Sequence, residues 1–170
     1  MARYCLDTSW ISNPILEMPP DIHETLWRVL ANLVDAGTFC WNKEIWNEID
    51  GSIYGDIAQN LKAANKAGCL YDLDDPSWDV RSYIDNQNDL CARYSGYIAE
   101  YNGKDNTVGL NDVSIIALAK TLNKPVASME RENTNPGSSL IRMRIPELCS
   151  REKIPHLNFV QLLRKEGVKA

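Results

Sequence analysis

The sequence has only two histidines, His23 and His156, and its five cysteines (Cys5, Cys40, Cys69, Cys91 and Cys149) form no Cys-x-x-Cys pair. Structural zinc sites need clustered thiolate and imidazole ligands, so this pattern argues against one. An odd, scattered set of cysteines also argues against a disulfide framework; reduced core thiols in a cytoplasmic protein are expected. No run is long enough to cross a bilayer and no apolar leader opens the chain, so neither membrane insertion nor export is expected. Internal repeats and low-complexity tracts are absent. Positive charge is scarce at the front: residues 1–119 hold 8 Lys and Arg against 18 Asp and Glu, whereas residues 120–170 hold 10 against 5. Any nucleic-acid footprint must therefore come from the tail, from Lys120, Lys124, Arg131, Arg142, Arg144, Arg151 and Lys153.

What is present is the composition of a soluble globular protein, 44% hydrophobic and 24% charged over 170 residues. That length fits one domain, residues 1–170, with a proper core. Arg3-Tyr4-Cys5-Leu6 is a short apolar run that stops at Asp7-Thr8-Ser9, like a first buried strand with polar residues past its carboxyl end. Asn13-Pro14 and Pro19-Pro20 mark a loop. Asp21 and Glu24 are spaced as a capping box, and Ile22, Leu26, Val29, Leu30, Leu33 and Val34 keep helical spacing up to Gly37. Thr38–Trp41 is a second strand, and Asn42 caps a helix over 43–50 with Ile45 and Ile49 inward. Residues 52–101 look helical, with a stripe of Ile53, Ile57, Leu61 and Ala64, a break at Gly68 and an acidic turn over 72–79. The alternation predicts a parallel sheet with right-handed crossovers.

The chain is organised around Gly109–Glu130. Asn111 is the expected helix cap, Asp112 suits the positive end of the helix dipole, and Val113 to Leu122 is too apolar for a surface helix. A turn at Pro125 leads into the strand Val126-Ala127-Ser128 and then Glu130. A helix antiparallel to the strand after it brings Asp112 and Glu130 to the same sheet edge. A polar loop over 132–139, a short helix near 146–151, a minor strand near 154–157 and a last helix over 159–166 complete the chain.

Two further acids converge on that edge. Asp7 follows strand one, and Glu48 lies in the helix after strand two. Glu44, one turn before Glu48 on the same face, is its rival for the second place, Asp50 is close by, and Glu132 neighbours Glu130. Carboxylates gathered at one rim repel and raise one another's pKa. A hard divalent cation, Mg²⁺ or Mn²⁺, relieves that conflict through oxygen ligands. Such a site suits a metal-dependent phosphodiesterase. A haloacid-dehalogenase reading needs a second Asp two residues after the first, where this chain has Ser9.

Together the segments YCLDTSWISNP, IWNEI, NDVSIIALAK and PVASME, with the tail RMRIPELCSREKIPHLNFVQLLRKEGV, resemble the PIN-domain ribonucleases. The likeness is greatest to the PIN-like branch related to VapC-type toxins of bacterial toxin–antitoxin systems. It covers nearly the whole chain in order. It implies a Rossmann-like three-layer α/β/α fold with a short parallel central sheet. It implies Asp7, Glu48, Asp112 and Glu130 as metal ligands and catalytic acids for Mg²⁺ or Mn²⁺. Many family members carry Asp in the fourth place, so Glu130 is a longer-armed version. Thr8, Ser9 and Ser128 are implied as supporting hydroxyls. The implied activity is endonucleolytic hydrolysis of RNA; the implied partners are an RNA substrate and a small cognate antitoxin, and homodimers are common in the family. Arg131, Arg142 and Arg144 are the candidate RNA-binding residues, and Trp10 and Trp46 are placed for base stacking or, alternatively, for core or dimer packing. The acidic front departs from what an RNA binder usually shows, and its counterpart reading is a catalytically inactive PIN-like module that binds RNA or protein.

Overall fold

Short apolar runs followed at once by polar residues make short, fully buried parallel strands, because helices cover both faces of such a sheet. The computed structural model describes residues 3–50, 69–102, 107–132 and 143–168. It is an α/β fold of the Rossmann-like three-layer kind, built on a five-stranded, all-parallel sheet. The strands are β1 (Tyr4–Leu6), β2 (Phe39–Asn42), β3 (Leu70–Tyr71), β4 (Val126–Ser128) and β5 (His156–Asn158). Their order across the sheet is β3-β2-β1-β4-β5. The chain therefore builds outward from β1 to β3, then returns to β1's other side for β4. In open parallel sheets this reversal opens a crevice at the carboxyl ends of the two central strands.

The helices are α1 (Ser9–Glu17), α2 (Glu24–Asp35), α3 (Lys43–Asp50), α4 (Val80–Arg93), α5 (Ala99–Asn102), α6 (Leu110–Leu122), α7 (Ile145–Arg151) and α8 (Phe159–Lys165). Seven consecutive residues of α6, Val113 to Ala119, are buried. The helix packs on β1, β2 and β4 and against α3, α4 and α7. Asn123 ends it in a left-handed conformation at φ 52°, one of the few non-glycine types that adopt it readily. The expected stop at Gly37 also holds, with φ 64° just past α2. All five cysteines are free thiols, four of them buried. Among the described residues no helix is long and apolar enough to cross a membrane.

Several expectations need correction. Asn13-Pro14 does not form a loop: α1 runs through Pro14. Proline removes one backbone donor, and burial of Trp10, Ile11 and Pro14 itself offsets that loss. Asp21 does not cap α2; His23 occupies that place and Glu24 is the first helical residue. Asn111 lies inside α6, whose cap is Gly109. The last strand lies two residues later than expected at its start, and β3 falls in a stretch read as helical. Leu70-Tyr71 is too short to show an alternation, and only its pairing with Trp41-Asn42 makes it a strand. The stripe at Ile53, Ile57, Leu61 and Ala64 and nearly all of the loop over 132–139 lie outside the described residues.

Candidate functional site

Asp7, Thr8, Ser9, Ser12, Glu48, Asp112, Glu130 and Ile145 line one pocket of about 370 Å³ at the carboxyl ends of β1 and β4. The four acids named from the sequence thus share one pocket, at the point where the strand order reverses. Glu44 is not in its lining; it acts instead on the Tyr83 phenol.

Each acid has a local reason for its position. Asp7 follows β1 and is buried. Its Oδ2 accepts the Ser9 N–H at 3.1 Å and the Ser9 hydroxyl. Thr8 is the helix cap of α1, yet its hydroxyl is turned away from the helix and donates to Glu48. Glu48 projects from α3, whose start is held because Asn42 Oδ1 accepts the Ile45 N–H at 3.2 Å. Asp112, in the first turn of α6, accepts the Gly109 N–H at 2.8 Å. Glu130, two residues beyond β4, accepts the Ile145 N–H at 2.9 Å. That last bond ties the β4 exit to the start of α7.

The electrostatics are those of crowded carboxylates. Burial is the main cause that pushes the Asp112 carboxyl up to about 8, followed by repulsion from Asp7; the Gly109 bond opposes this, and Glu130 and Glu48 add smaller repulsions. Burial also raises Asp7, against the Ser9 bonds that stabilise its charge, and Glu48 raises it further. Glu130 is raised by burial, with the Ile145 bond pulling the other way and Asp7 repelling it. Among the described residues no three His, Cys, Asp or Glu side chains stand close enough to form a ready-made ion cage. The donor set nonetheless fits a hard divalent cation. Every polar side chain lining the pocket offers oxygen, and the carboxylates' mutual repulsion is the conflict such an ion relieves.

The supporting hydroxyls sit as follows. Ser9 Oγ bridges, accepting the Met129 N–H at 3.1 Å while donating to Asp7. Ser128 is fully buried outside the pocket lining; its hydroxyl meets His156 Nε2 at 2.9 Å and accepts the Glu130 N–H at 3.2 Å. Of the tail cations, Arg131 is exposed beside the rim and Arg144 helps to stabilise the charge on Glu130. Arg142 lies outside the described residues. Lys120 is engaged with Glu152 at 3.0 Å. Trp10 and Trp46 are 1% and 8% exposed and belong to the core, not to a stacking surface.

Sequence reasoning missed Ser12 in the pocket wall. It lies three residues after Ser9, on the same face of α1, a signal masked by reading Pro14 as a loop. A second group escaped notice: buried Asn42 donates to Ser114 Oγ at 2.7 Å and to the Tyr83 hydroxyl at 3.2 Å. It joins β2 to α6 two residues from Asp112. Only the pairing of distant elements reveals it.

The chain matches the family described as Domain of unknown function (DUF4411) over residues 4–170 and belongs to that family. No curated protein matches it.

Proposed function

We propose that this member of a family without an assigned activity is a metal-dependent endoribonuclease that hydrolyses RNA phosphodiester bonds. The observation that carries the reading is the sharing of one pocket by Asp7, Glu48, Asp112 and Glu130 at the sheet's switch point. Those four side chains would hold Mg²⁺ or Mn²⁺. The ion, when bound, supplies Lewis-acid polarisation of a phosphoryl oxygen and a lowered pKa for an attacking water. Ser9 keeps Asp7 in a single orientation, and Thr8 does the same for Glu48. The Gly109 and Ile145 amides fix one oxygen each of Asp112 and Glu130, so their positions are set before substrate arrives. The further assignment, toxin of a type II toxin–antitoxin pair restrained by a small antitoxin, rests on the PIN-like resemblance of the sequence segments alone.

The test is cleavage of structured and unstructured RNA with Mn²⁺. Asp7→Asn and Asp112→Asn should lower the rate by roughly 100-fold or more while leaving the circular dichroism spectrum unchanged. Wild-type protein that cuts nothing, or variants that cut equally well, would remove the proposal. A second reading, a non-cutting module that binds RNA or protein, is favoured by one observation. Each of the four acids already has a protein hydrogen-bond donor, so the rim is held together by the chain itself. Calorimetric titration separates the two, since the module binds no divalent ion at near-millimolar concentration.

A further inference from the structure

A second pocket, of about 570 Å³, opens beside the carboxylate rim and shares Glu130 with it. Its volume is in the range of small-molecule sites, roughly 300–1,000 Å³. Its walls differ in kind from the rim. Pro146 and Ile154 give apolar surface, while Ser150, Asn158 and Gln161 give neutral polar groups. The amide oxygens are occupied: Asn158 Oδ1 accepts the Gln161 N–H at 3.0 Å, and Gln161 Oε1 accepts the Asn158 N–H at 2.9 Å. This reciprocal pairing leaves both side-chain NH₂ groups as donors and fixes both side chains. His156 also lines the pocket, anchored through Nε2 to buried Ser128 at 2.9 Å. Burial lowers its pKa to about 4, so its ring is uncharged at neutral pH.

The charges in the wall are Glu130, Arg131 and Glu132, one cation between two acids. That balance disfavours a phosphate as the occupant. Apolar surface for a ring face, combined with fixed neutral donors for a ring edge, is the chemistry that recognises a nucleobase. We propose that this pocket seats the base of the nucleotide next to the phosphate presented to the carboxylate rim, and so gives the enzyme its base preference. The inference rests on the nuclease reading for its place in catalysis, but base binding itself can be measured without cleavage.

The probes are adenosine, cytidine, guanosine and uridine, titrated into ¹⁵N-labelled full-length protein in the presence of EDTA. The side-chain NH₂ resonances of Asn158 and Gln161 report directly. At least one nucleoside should shift them saturably, with a preference among the four. Gln161→Glu keeps the acceptor for the Asn158 N–H but loses the donors, and should weaken that binding about tenfold. Ser150→Trp, at an exposed position, should block it. Metal titration of both variants should match wild type, which shows that the rim and the fold are intact. Equal shifts with all four nucleosides, or unchanged binding in both variants, overturn the pocket's role. Selective binding that Gln161→Glu weakens and Ser150→Trp blocks, in a protein that cuts no RNA, upholds the base pocket and removes the nuclease reading instead.

Discussion

Ser9 holds Asp7 from two directions: its backbone N–H donates to Asp7 Oδ2 at 3.1 Å and its hydroxyl donates to the same oxygen. That hydroxyl also accepts the Met129 N–H at 3.1 Å, so one side chain joins the exit of β1 to the exit of β4 across the switch point. Ser9→Ala removes a donor from a buried carboxylate and leaves the Met129 amide without its partner. The expected cost is about 1–3 kcal/mol in chemical denaturation. Because both Ser9 bonds lower the Asp7 pKa, the acidic limb of any RNA-cleavage pH profile should move upward. An unmoved acidic limb would show that Asp7 does not depend on this bond.

Asp112 gives the metal-free protein a pH dependence of definite sign. Its pKa is about 8 in the folded chain against an ordinary 3.8. The folded state therefore holds the proton more tightly than the unfolded one. Its stabilising contribution is complete below about pH 4 and is lost as pH rises through 8. In EDTA, the urea midpoint of wild type should fall between pH 5 and 9, and Asp112→Asn should fall less. The gap between them at pH 9 should be on the order of a few kcal/mol. Parallel curves for the two proteins would mean that Asp112 is not the titrating group.

A divalent ion competes with that same proton. Mn²⁺ affinity should rise about tenfold per pH unit below pH 8 if one proton leaves on binding. At 100 times the dissociation constant the ion should add about 2.7 kcal/mol of stability, visible as a higher melting temperature. Asp7→Asn should abolish the gain. A melting temperature indifferent to Mn²⁺ in wild type would count directly against an ion at the rim.

Outside the pocket lining, at the opposite end of α7 from Ile145, Glu152 closes that end onto α4 and α6. Its carboxylate accepts from Arg93 at 2.6 and 2.8 Å, from the Tyr94 hydroxyl at 2.6 Å and from Lys120 at 3.0 Å. The Arg93 bonds are the main cause that lowers its pKa to about 2 from 4.5. For a lowered pKa the sign reverses: the stabilisation is present above about pH 4.5 and is lost as pH falls towards 2. Glu152→Gln should cost about 2 kcal/mol at pH 6, a figure reduced from the full linkage value because Arg93 and Lys120 are partly in water. The cost should shrink at pH 3. RNA cleavage at pH 7 should be unaffected, which separates this structural clamp from the rim.

Much of the frame was legible because it is local. The buried run of α6, the β4 strand Val126–Ser128 and the Asn42 cap each depend on residues a few positions apart. Their apolar spacing and capping chemistry are readable in one dimension. Asp7 and Glu130 were legible as charges just past apolar runs, and Asp112 as a charge just ahead of one; Glu48, inside its helix, was not separable from Glu44 by spacing. Pro14 misled because the rule against proline in helices is outweighed here by burial of Trp10 and Ile11, a tertiary effect. The Asp21–Glu24 spacing misled because a cap contributes only about 1 kcal/mol, less than the burial of Trp27, Leu30 and Val34, and α2 starts at Glu24 without a side-chain cap bond from His23.

The order of residues was enough to determine that short parallel strands would alternate with helices, that Asp7 and Glu130 would lie at strand exits and Asp112 at a helix start, and that the helix after the second strand would carry an acid towards them. Tertiary structure alone decided that the shared edge closes into one pocket, that Glu48 rather than Glu44 reaches it, and that Thr8 turns from its helix to Glu48. It alone decided that His156 and Ser128 meet and that a second pocket adjoins the first. The physical reason is distance along the chain. Spacing encodes what a residue does to neighbours a turn or two away, whereas burial and charge repulsion depend on groups a hundred residues apart that only folding brings together.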